Sequence, residues 1–337
     1  MRAAVCRSYG PPEAVQVEED HPPPPLEPGQ ARVRVQAAAV NFPDVLLVAD
    51  RYQLSVPPPF VPGSELAGVV AEVADGVTRL AVGDRVFGTT MVGAFAEEAV
   101  VAVEALTLVP TAVDVRHAAA FGVAHRTAYH VLRSVAALQP GEALVVLGAG
   151  GGVGLAAVQL GVILGARVTA VASSARKLEV AASHGAENLV DHRSGDLRQA
   201  LRTALPDGAD VVVDPVGGTL AEPALRALSW GGRFVTVGYA SGDIPRIPLN
   251  LVLLKGVAVL GFEFRGFMRH AAAEAERNEQ ELLDLFAAGR VTPHIGATFP
   301  LDDTAAALRY VADGHAIGKV VVDVVDAVDL VDVDPPL

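Results

Sequence analysis

The residues best suited to do chemistry begin at Gly148. Gly148-Ala-Gly-Gly-Gly-Val-Gly154 lies between two apolar runs, Leu144-Val-Val-Leu147 and Val153 to Leu164. A strand that ends in such a loop and restarts as a helix turns its backbone N–H groups toward one point. The helix N-terminus adds partial positive charge, so a pyrophosphate fits there. In the register set by the strand, the three fingerprint positions are Ala149, Gly151 and Gly154, with alanine in place of the first glycine. Gly152-x-Gly154-x-x-Ala157 meets the looser form but starts late after the strand. Ala149, Gly151, Gly152 and Val153 are the candidate contacts. A glycine-rich loop that serves close helix–strand packing alone is the other reading.

A second group follows about 20 residues on, where an NAD-binding chain carries an acid for the ribose 2′-hydroxyl. Here the sequence reads Val171-Ala-Ser-Ser-Ala-Arg-Lys177, with no acid. The hydroxyls of Ser173 and Ser174 and the cations of Arg176 and Lys177 match a 2′-phosphate. This predicts NADPH as the cofactor. The competing reading makes Arg176 and Lys177 the solvated first turn of a helix.

The surrounding elements must hold these groups. Leu144 to Leu147 reads as a buried strand and Val153 to Leu164 as a helix. Strands at Arg167–Ala172, Asn188–Asp191, Ala209–Val213, Arg233–Val237 and Lys255–Phe262 alternate with helices at Ser174–His184, Leu197–Leu205 and Leu220–Leu228. Apolar strands alternating with helices predict a parallel sheet covered on both faces. The first 110 residues read differently. Ala31-Arg-Val-Arg-Val-Gln36 alternates with period 2, and Leu66–Val73, Val82–Phe87 and Ala94–Val103 are further short apolar segments. A helix is expected from His117 to Leu138, two more at Arg269–Ala288 and Asp303–Asp313, and a last strand at Lys319–Val325.

Composition narrows the function classes. With 337 residues, 51% hydrophobic and 19% charged, the chain has material for about two domains. Its single cysteine, Cys6, excludes a disulfide within the chain and any multi-cysteine zinc or iron–sulfur site. One cysteine suits a reducing cytoplasm. The net charge of −13 argues against a nucleic-acid partner. The amino terminus lacks the apolar run of a signal peptide. Ala143 to Gly165 carries no formal charge over 23 residues, but its seven glycines read as strand, turn and buried helix, not as a membrane span. The last 15 residues hold five Asp and no basic residue, as a solvated strand end and fray would, with an interaction tail as the other reading.

Several segments in order carry a resemblance. They are Asn41-Phe-Pro-Asp44 with Tyr52, Phe60-Val-Pro-Gly-Ser-Glu-Leu-Ala-Gly68, Gly83-Asp-Arg-Val-Phe-Gly88, Thr127-Ala-Tyr-His130, the glycine loop, Asp214-Pro-Val-Gly-Gly218, Gly232 to Gly242 and Gly318-Lys-Val-Val. Along nearly its whole length the chain resembles the medium-chain dehydrogenase/reductases, and within them the zinc-free quinone oxidoreductases of the zeta-crystallin-like branch. The resemblance implies an α/β protein of two domains. A GroES-like, β-rich catalytic domain over residues 1–122 and 266–337 would be interrupted by a Rossmann NADP-binding domain over 123–265. The positions that match the zinc ligands of metal-dependent relatives are Asn41, Ser64 and Val123, so no metal site is expected. The nine histidines form no ligand pair at i, i+4 spacing.

The resemblance also implies roles. Asn41 would hold water, substrate oxygen or cofactor ribose, and Asp44 would buttress its loop. Tyr52 would donate to a developing enolate or stand as a cleft-wall aromatic. Thr127 would contact the nicotinamide. Ser173, Ser174, Lys177 and His192 would surround the 2′-phosphate. Val216, Gly238, Tyr239, Ser241, Phe262 and Phe264 would line the nicotinamide pocket, and Lys319 would add a cation near the adenosine end. Leu46 and Val48 stand where close quinone reductases often carry Tyr and Arg. Without a metal to polarise an alcohol or ketone, the expected reaction is hydride transfer from NADPH to a quinone or another activated α,β-unsaturated carbonyl. An enoyl-thioester reductase is the alternative, and a nucleotide-binding protein without turnover, structural or RNA-binding, is a third. A homodimer paired along the edge strand near Val257–Phe262 is implied as well.

Overall fold

The computed structural model describes residues 1–325. The acidic terminus falls outside the described residues, apart from its first three positions. The chain divides into two compact units, Met1–Val123 with the segment from Thr292 onward, and Ala124–Val291.

The first unit opens with an antiparallel pair, β1 (Ala3–Cys6) and β2 (Val15–Glu18). Then come β3 (Gln30–Val40), α1 (Phe42–Val48), β4 (Glu65–Val73), β5 (Arg85–Thr89), β6 (Glu98–Ala102), β7 (Leu106–Leu108) and α2 (Val115–Ala119). In β3 the alternation does what it predicts: Val33 and Val35 are fully buried beside exposed Arg34.

The second unit contains α3 (Ala124–His130), β8 (Ala143–Leu147), α4 (Gly152–Ile163), β9 (Arg167–Ala172), α5 (Ala175–Ser183), β10 (Asn188–Asp191) and α6 (Leu197–Ala204). It continues through β11 (Ala209–Asp214), α7 (Ala221–Arg226), β12 (Leu228–Thr236), α8 (Leu249–Lys255), β13 (Ala258–Gly261), α9 (Phe264–His270) and α10 (Ala272–Ala287). Its sheet runs β10-β9-β8-β11-β12-β13 with every pairing parallel. The strand order reverses between β8 and β11. Ligands of doubly wound sheets bind at such a point, beyond the carboxyl ends of the strands. The core on one face gathers Val145, Leu147, Leu201, Val212, Leu225 and Phe234.

The chain then returns to the first unit as β14 (Ile295–Pro300), α11 (Thr304–Ala312) and β15 (Lys319–Asp323). The main sheet of that unit runs β14-β15-β3-β4-β5-β7, with β6 also on β3. β15 lies antiparallel to β3, with Val320 opposite Val40. That register carries Lys319 to Asn41, the residue just past the end of β3.

Several expectations need correction. The return to the first unit falls at Thr292, not at 266, and the first boundary falls after Val123. α10 stays with the second unit because it is tied to α3. Arg126 Nε and His130 Nε2 both meet Glu279 at 2.8 Å, and Tyr129 donates to Glu281 at 2.7 Å. The single helix expected over 117–138 is broken into α2, α3 and a π turn at Val131–Val135. At that break the Val123 N–H donates to Glu65 Oε2 at 2.7 Å, a stronger partner than a helical carbonyl. The sequence pattern does not announce α8, and β12 begins at Leu228 where it predicts a helix end.

Candidate functional site

The glycine loop leaves β8 at Gly148 with φ +60°, a left-handed conformation that glycine adopts without strain. Gly151 caps α4, so the N–H groups of the first turn have no acceptor within the helix. Gly154 must be glycine, since a Cβ there would lie 2.1 Å from the Gly148 carbonyl oxygen. A Cβ on Gly151 would meet only that oxygen, at 3.5 Å, which leaves room above the helix end. The fingerprint register that assigns Ala149, Gly151 and Gly154 is the one built here, with Gly152 and Val153 opening the helix.

Gly150 has a separate reason. A Cβ there would fall 2.6 Å from the Lys177 stem, so the loop is stripped of a side chain where Lys177 lies across it. Lys177 belongs to the first turn of α5, whose N-cap Ser174 accepts its N–H at 3.4 Å. Burial holds the Lys177 ammonium below its ordinary pKa, and Arg193 lowers it further. His192 directly follows β10, its N–H bonded to the Ala172 carbonyl at 3.1 Å. Burial depresses its imidazolium, and Arg193 and Lys177 add to the effect, while Asp191 opposes it. Three basic groups thus repel one another at the ends of adjacent strands, beside half-buried Ser173. An anion placed among them relieves that repulsion. Ser174, Lys177 and His192 stand together here, joined by Arg193, which the sequence reading did not single out. Its signal was its place directly after His192 at a strand end.

The next two strand ends are joined. Asp214 is fully buried, its carboxyl pushed up by burial, and its Oδ1 accepts N–H from Val216 and Gly217, each at 2.8 Å. Ser241 N–H bonds the Val216 carbonyl at 3.0 Å, and the Gly218 N–H bonds that of Asp243 at 2.9 Å. A Cβ on Gly217 would lie 2.8 Å from the Tyr239 ring, and one on Gly148 would lie 2.5 Å from Val216. Val216, Gly238, Tyr239 and Ser241 therefore stand with the glycine loop at the carboxyl edge of the sheet. Phe262 and Phe264 are found in an aromatic cluster with Phe267 around buried His130. The His130–Phe267 centroids are 4.9 Å apart, and Arg126 lies 4.8 Å over Phe264. Thr127 lies half-buried on α3.

In the first unit the sequence 41–44 builds a buried polar cluster. Asp44 Oδ2 accepts the Asn41 backbone N–H at 2.7 Å, which closes the N-terminus of α1. Asn41 Nδ2 donates to Ser64 Oγ at 3.2 Å and to Glu65 Oε1 at 3.1 Å. Its Oδ1 accepts the Lys319 ammonium at 2.5 Å, and that ammonium is also ion-paired to Glu65. The amide expected to hold water or ligand is thus committed within the protein. Lys319 corrects the expectation of a cation near adenosine, since it is only 3% exposed and serves Asn41 and Glu65. Burial pushes the Asp44 carboxyl up to about 7, against the pull of the Asn41 N–H, the Ser64 hydroxyl and the Lys319 charge. Tyr52 is half-buried in the irregular segment between α1 and β4.

Two family models match: "Alcohol dehydrogenase GroES-like domain" over residues 27–111 and "Zinc-binding dehydrogenase" over 152–287. These define a medium-chain dehydrogenase/reductase. Quinone oxidoreductase-like protein 2 of Bos taurus is 36% identical over 95% of this chain and 91% of its own. The quinone oxidoreductase from Thermus thermophilus, solved also as its complex with NADPH, is 33% identical with a TM-score of 0.82, covering 96% of this chain and all of that one. A stretch amounting to 5% of the polyketide synthase GfsB of Streptomyces halstedii is 37% identical over 90% of this chain. The chain belongs to the quinone-oxidoreductase-like branch of the superfamily.

The metal in one model's description can be tested against the residues. Asn41, Ser64 and Val123 are poor zinc donors, and the buried Lys319 ammonium lies against the first of them, where it repels a second cation. Among the described residues no group of three or more His, Cys, Asp and Glu side chains is gathered as a metal site. The donor set does not fit a catalytic zinc.

Proposed function

We propose that the protein is an NADPH-dependent, metal-independent reductase that transfers hydride to quinones or other activated α,β-unsaturated carbonyls. The observation that carries this reading is the Asn41–Glu65–Lys319 cluster, which fills the place of a Lewis acid with an internal ion pair. An acceptor must then be electron-poor by itself. Such an acceptor spreads the incoming charge onto an oxygen that a few hydrogen bonds can stabilise.

When bound, NADPH supplies the hydride. The glycine loop and the α4 N-terminus would bind its pyrophosphate, and Ser173, Ser174, Lys177, His192 and Arg193 its 2′-phosphate. Val216, Gly238, Tyr239, Ser241 and Thr127 would orient the nicotinamide, with Phe262 and Phe264 on its flank. Tyr52 would donate to the reduced acceptor. An enoyl-thioester is the second acceptor class. The exposed edge strand β13, with Val259 44% and neighbouring Trp230 80% exposed, supports pairing with a second copy. No described helix is long and apolar enough to cross a membrane. The single cysteine, buried, supports a cytoplasmic place.

The test is an NADPH and NADH oxidation screen with 1,4-benzoquinone, 9,10-phenanthrenequinone, an alkenal and crotonyl-CoA. The reading predicts turnover with NADPH on at least one acceptor. No oxidation with any of them would reject it in favour of a nucleotide-binding protein without turnover.

A further inference from the structure

Within the cluster around Asn41, the Ser64 hydroxyl is the polar group nearest the outside, and the Asp44 carboxyl is its acceptor inside the protein. Asn41 Nδ2 donates to Ser64 Oγ and Glu65 Oε1, with the Ala39 carbonyl at 3.4 Å as a weaker third acceptor, and its oxygen faces the Lys319 ammonium. Glu65 and Lys319 therefore fix which way the amide points, because the flipped amide would set N–H against ammonium and oxygen against carboxylate. Glu65 Oε2 also holds the Val123 N–H at 2.7 Å, so one carboxylate gathers three chain segments. A serine oxygen that accepts from an amide keeps its single proton for another acceptor. Asn41, Asp44, Glu65 and Lys319 are all buried, whereas Ser64 is half-exposed. Ser64 is thus the member of the cluster that reaches the surface of its unit.

We propose that the Ser64 hydroxyl is the hydrogen-bond donor to the acceptor's carbonyl oxygen, with Asn41, Glu65 and Lys319 as the positioning residues that aim it. This deepens the reductase reading and rests on it. As hydride forms the new C–H bond at the β-carbon, the C=C π pair moves toward the carbonyl and an enolate oxygen develops. A quinone gains its charge on oxygen in the same way. Ser64 stabilises that oxygen while keeping its own proton, and solvent supplies the proton that completes the product. The competing acceptor is Asp44, whose ionised form draws on the same hydroxyl.

The test compares wild type with Ser64→Ala, Ser64→Thr, Lys319→Met and the Ser64→Ala/Lys319→Met double variant, assayed with NADPH and 9,10-phenanthrenequinone. Removing one preorganised donor to a developing oxyanion costs roughly 10²-fold in kcat. Ser64→Ala is expected to show that loss, with NADPH affinity by fluorescence titration and the melting temperature unchanged. Ser64→Thr is expected to recover most of the rate. Lys319→Met should lower kcat similarly, and the double variant should lose no more than Ser64→Ala alone. A Ser64→Ala kcat within about twofold of wild type overturns the proposal, as do losses that multiply in the double variant. Should Lys319→Met fail to fold, the Ala and Thr variants at 64 decide. Wild type inert with every acceptor in the screen brings down the reductase reading and this proposal together; an active wild type with an equally active Ser64→Ala brings down only the latter.

Discussion

Asp44→Asn isolates the cost of burying a carboxylate in this fold. Asp44 is fully buried, its Oδ2 holds the Asn41 N–H, and its Oδ1 has no hydrogen-bond partner. Its pKa rises from 3.8 to about 7, chiefly by desolvation, with Glu65 adding to the rise and Lys319 opposing it. The folded state then holds a proton that the unfolded state has released, throughout the interval between the two values. Stability must fall as pH rises across that interval, by about 1.4 kcal/mol per pH unit and about 4 kcal/mol in all. Asparagine keeps an oxygen for the Asn41 N–H and carries no titrating proton. The stability of wild type minus that of Asp44→Asn is therefore expected to drop by about 4 kcal/mol between pH 4 and pH 7.5, and to be flat outside that range. The only tryptophan, Trp230, lies in the second unit, so its fluorescence does not report on this one. Hydrogen exchange of the β3 amides, followed by mass spectrometry at several pH values after correction for intrinsic exchange rates, does report on it. A pH-independent difference, or one that grows with pH, would refute the reasoning.

Other variants test other parts of the site. Lys177→Ala removes a charge-assisted contact of about 1.5–3 kcal/mol, so the KM for NADPH should rise roughly 10- to 100-fold while that for NADH stays near wild type; equal effects would reject the phosphate assignment. Arg193→Ala should show the same selectivity for NADPH, which steady-state kinetics with both nucleotides can check. Gly154→Ala places a methyl 2.1 Å from the Gly148 oxygen and should abolish measurable NADPH binding in a fluorescence titration. Tyr52→Phe is expected to slow turnover without changing NADPH affinity; full activity would remove its donor role.

The parts of the site that local sequence could specify were legible. The glycine loop could be placed because strand, turn and helix are contiguous there, and Ser174 with Lys177 because an N-cap and its first turn are neighbours. The acid-free end of β9 likewise pointed to a 2′-phosphate from seven consecutive residues. What failed depends on distant chain meeting distant chain. Lys319 reaches Asn41 across 278 positions of sequence, through the β15–β3 register that no local pattern encodes. Glu65 was quoted only as part of a motif, and its hold on Val123 explains the helix break that periodicity missed. The late return to the first unit had the same origin. Residues 266–291 carry a polar-faced helix whose partner, α3, is visible only once Glu279 meets Arg126 and His130.

The most direct measurement is the metal dependence of turnover. The protein would be purified, treated with chelator, analysed for zinc by mass spectrometry, and assayed for kcat/KM with NADPH and 9,10-phenanthrenequinone before and after treatment. The account predicts zinc far below one equivalent and an unchanged kcat/KM. Stoichiometric zinc whose removal abolishes turnover, and whose return restores it, would contradict the claim that an internal ion pair occupies the place of the metal.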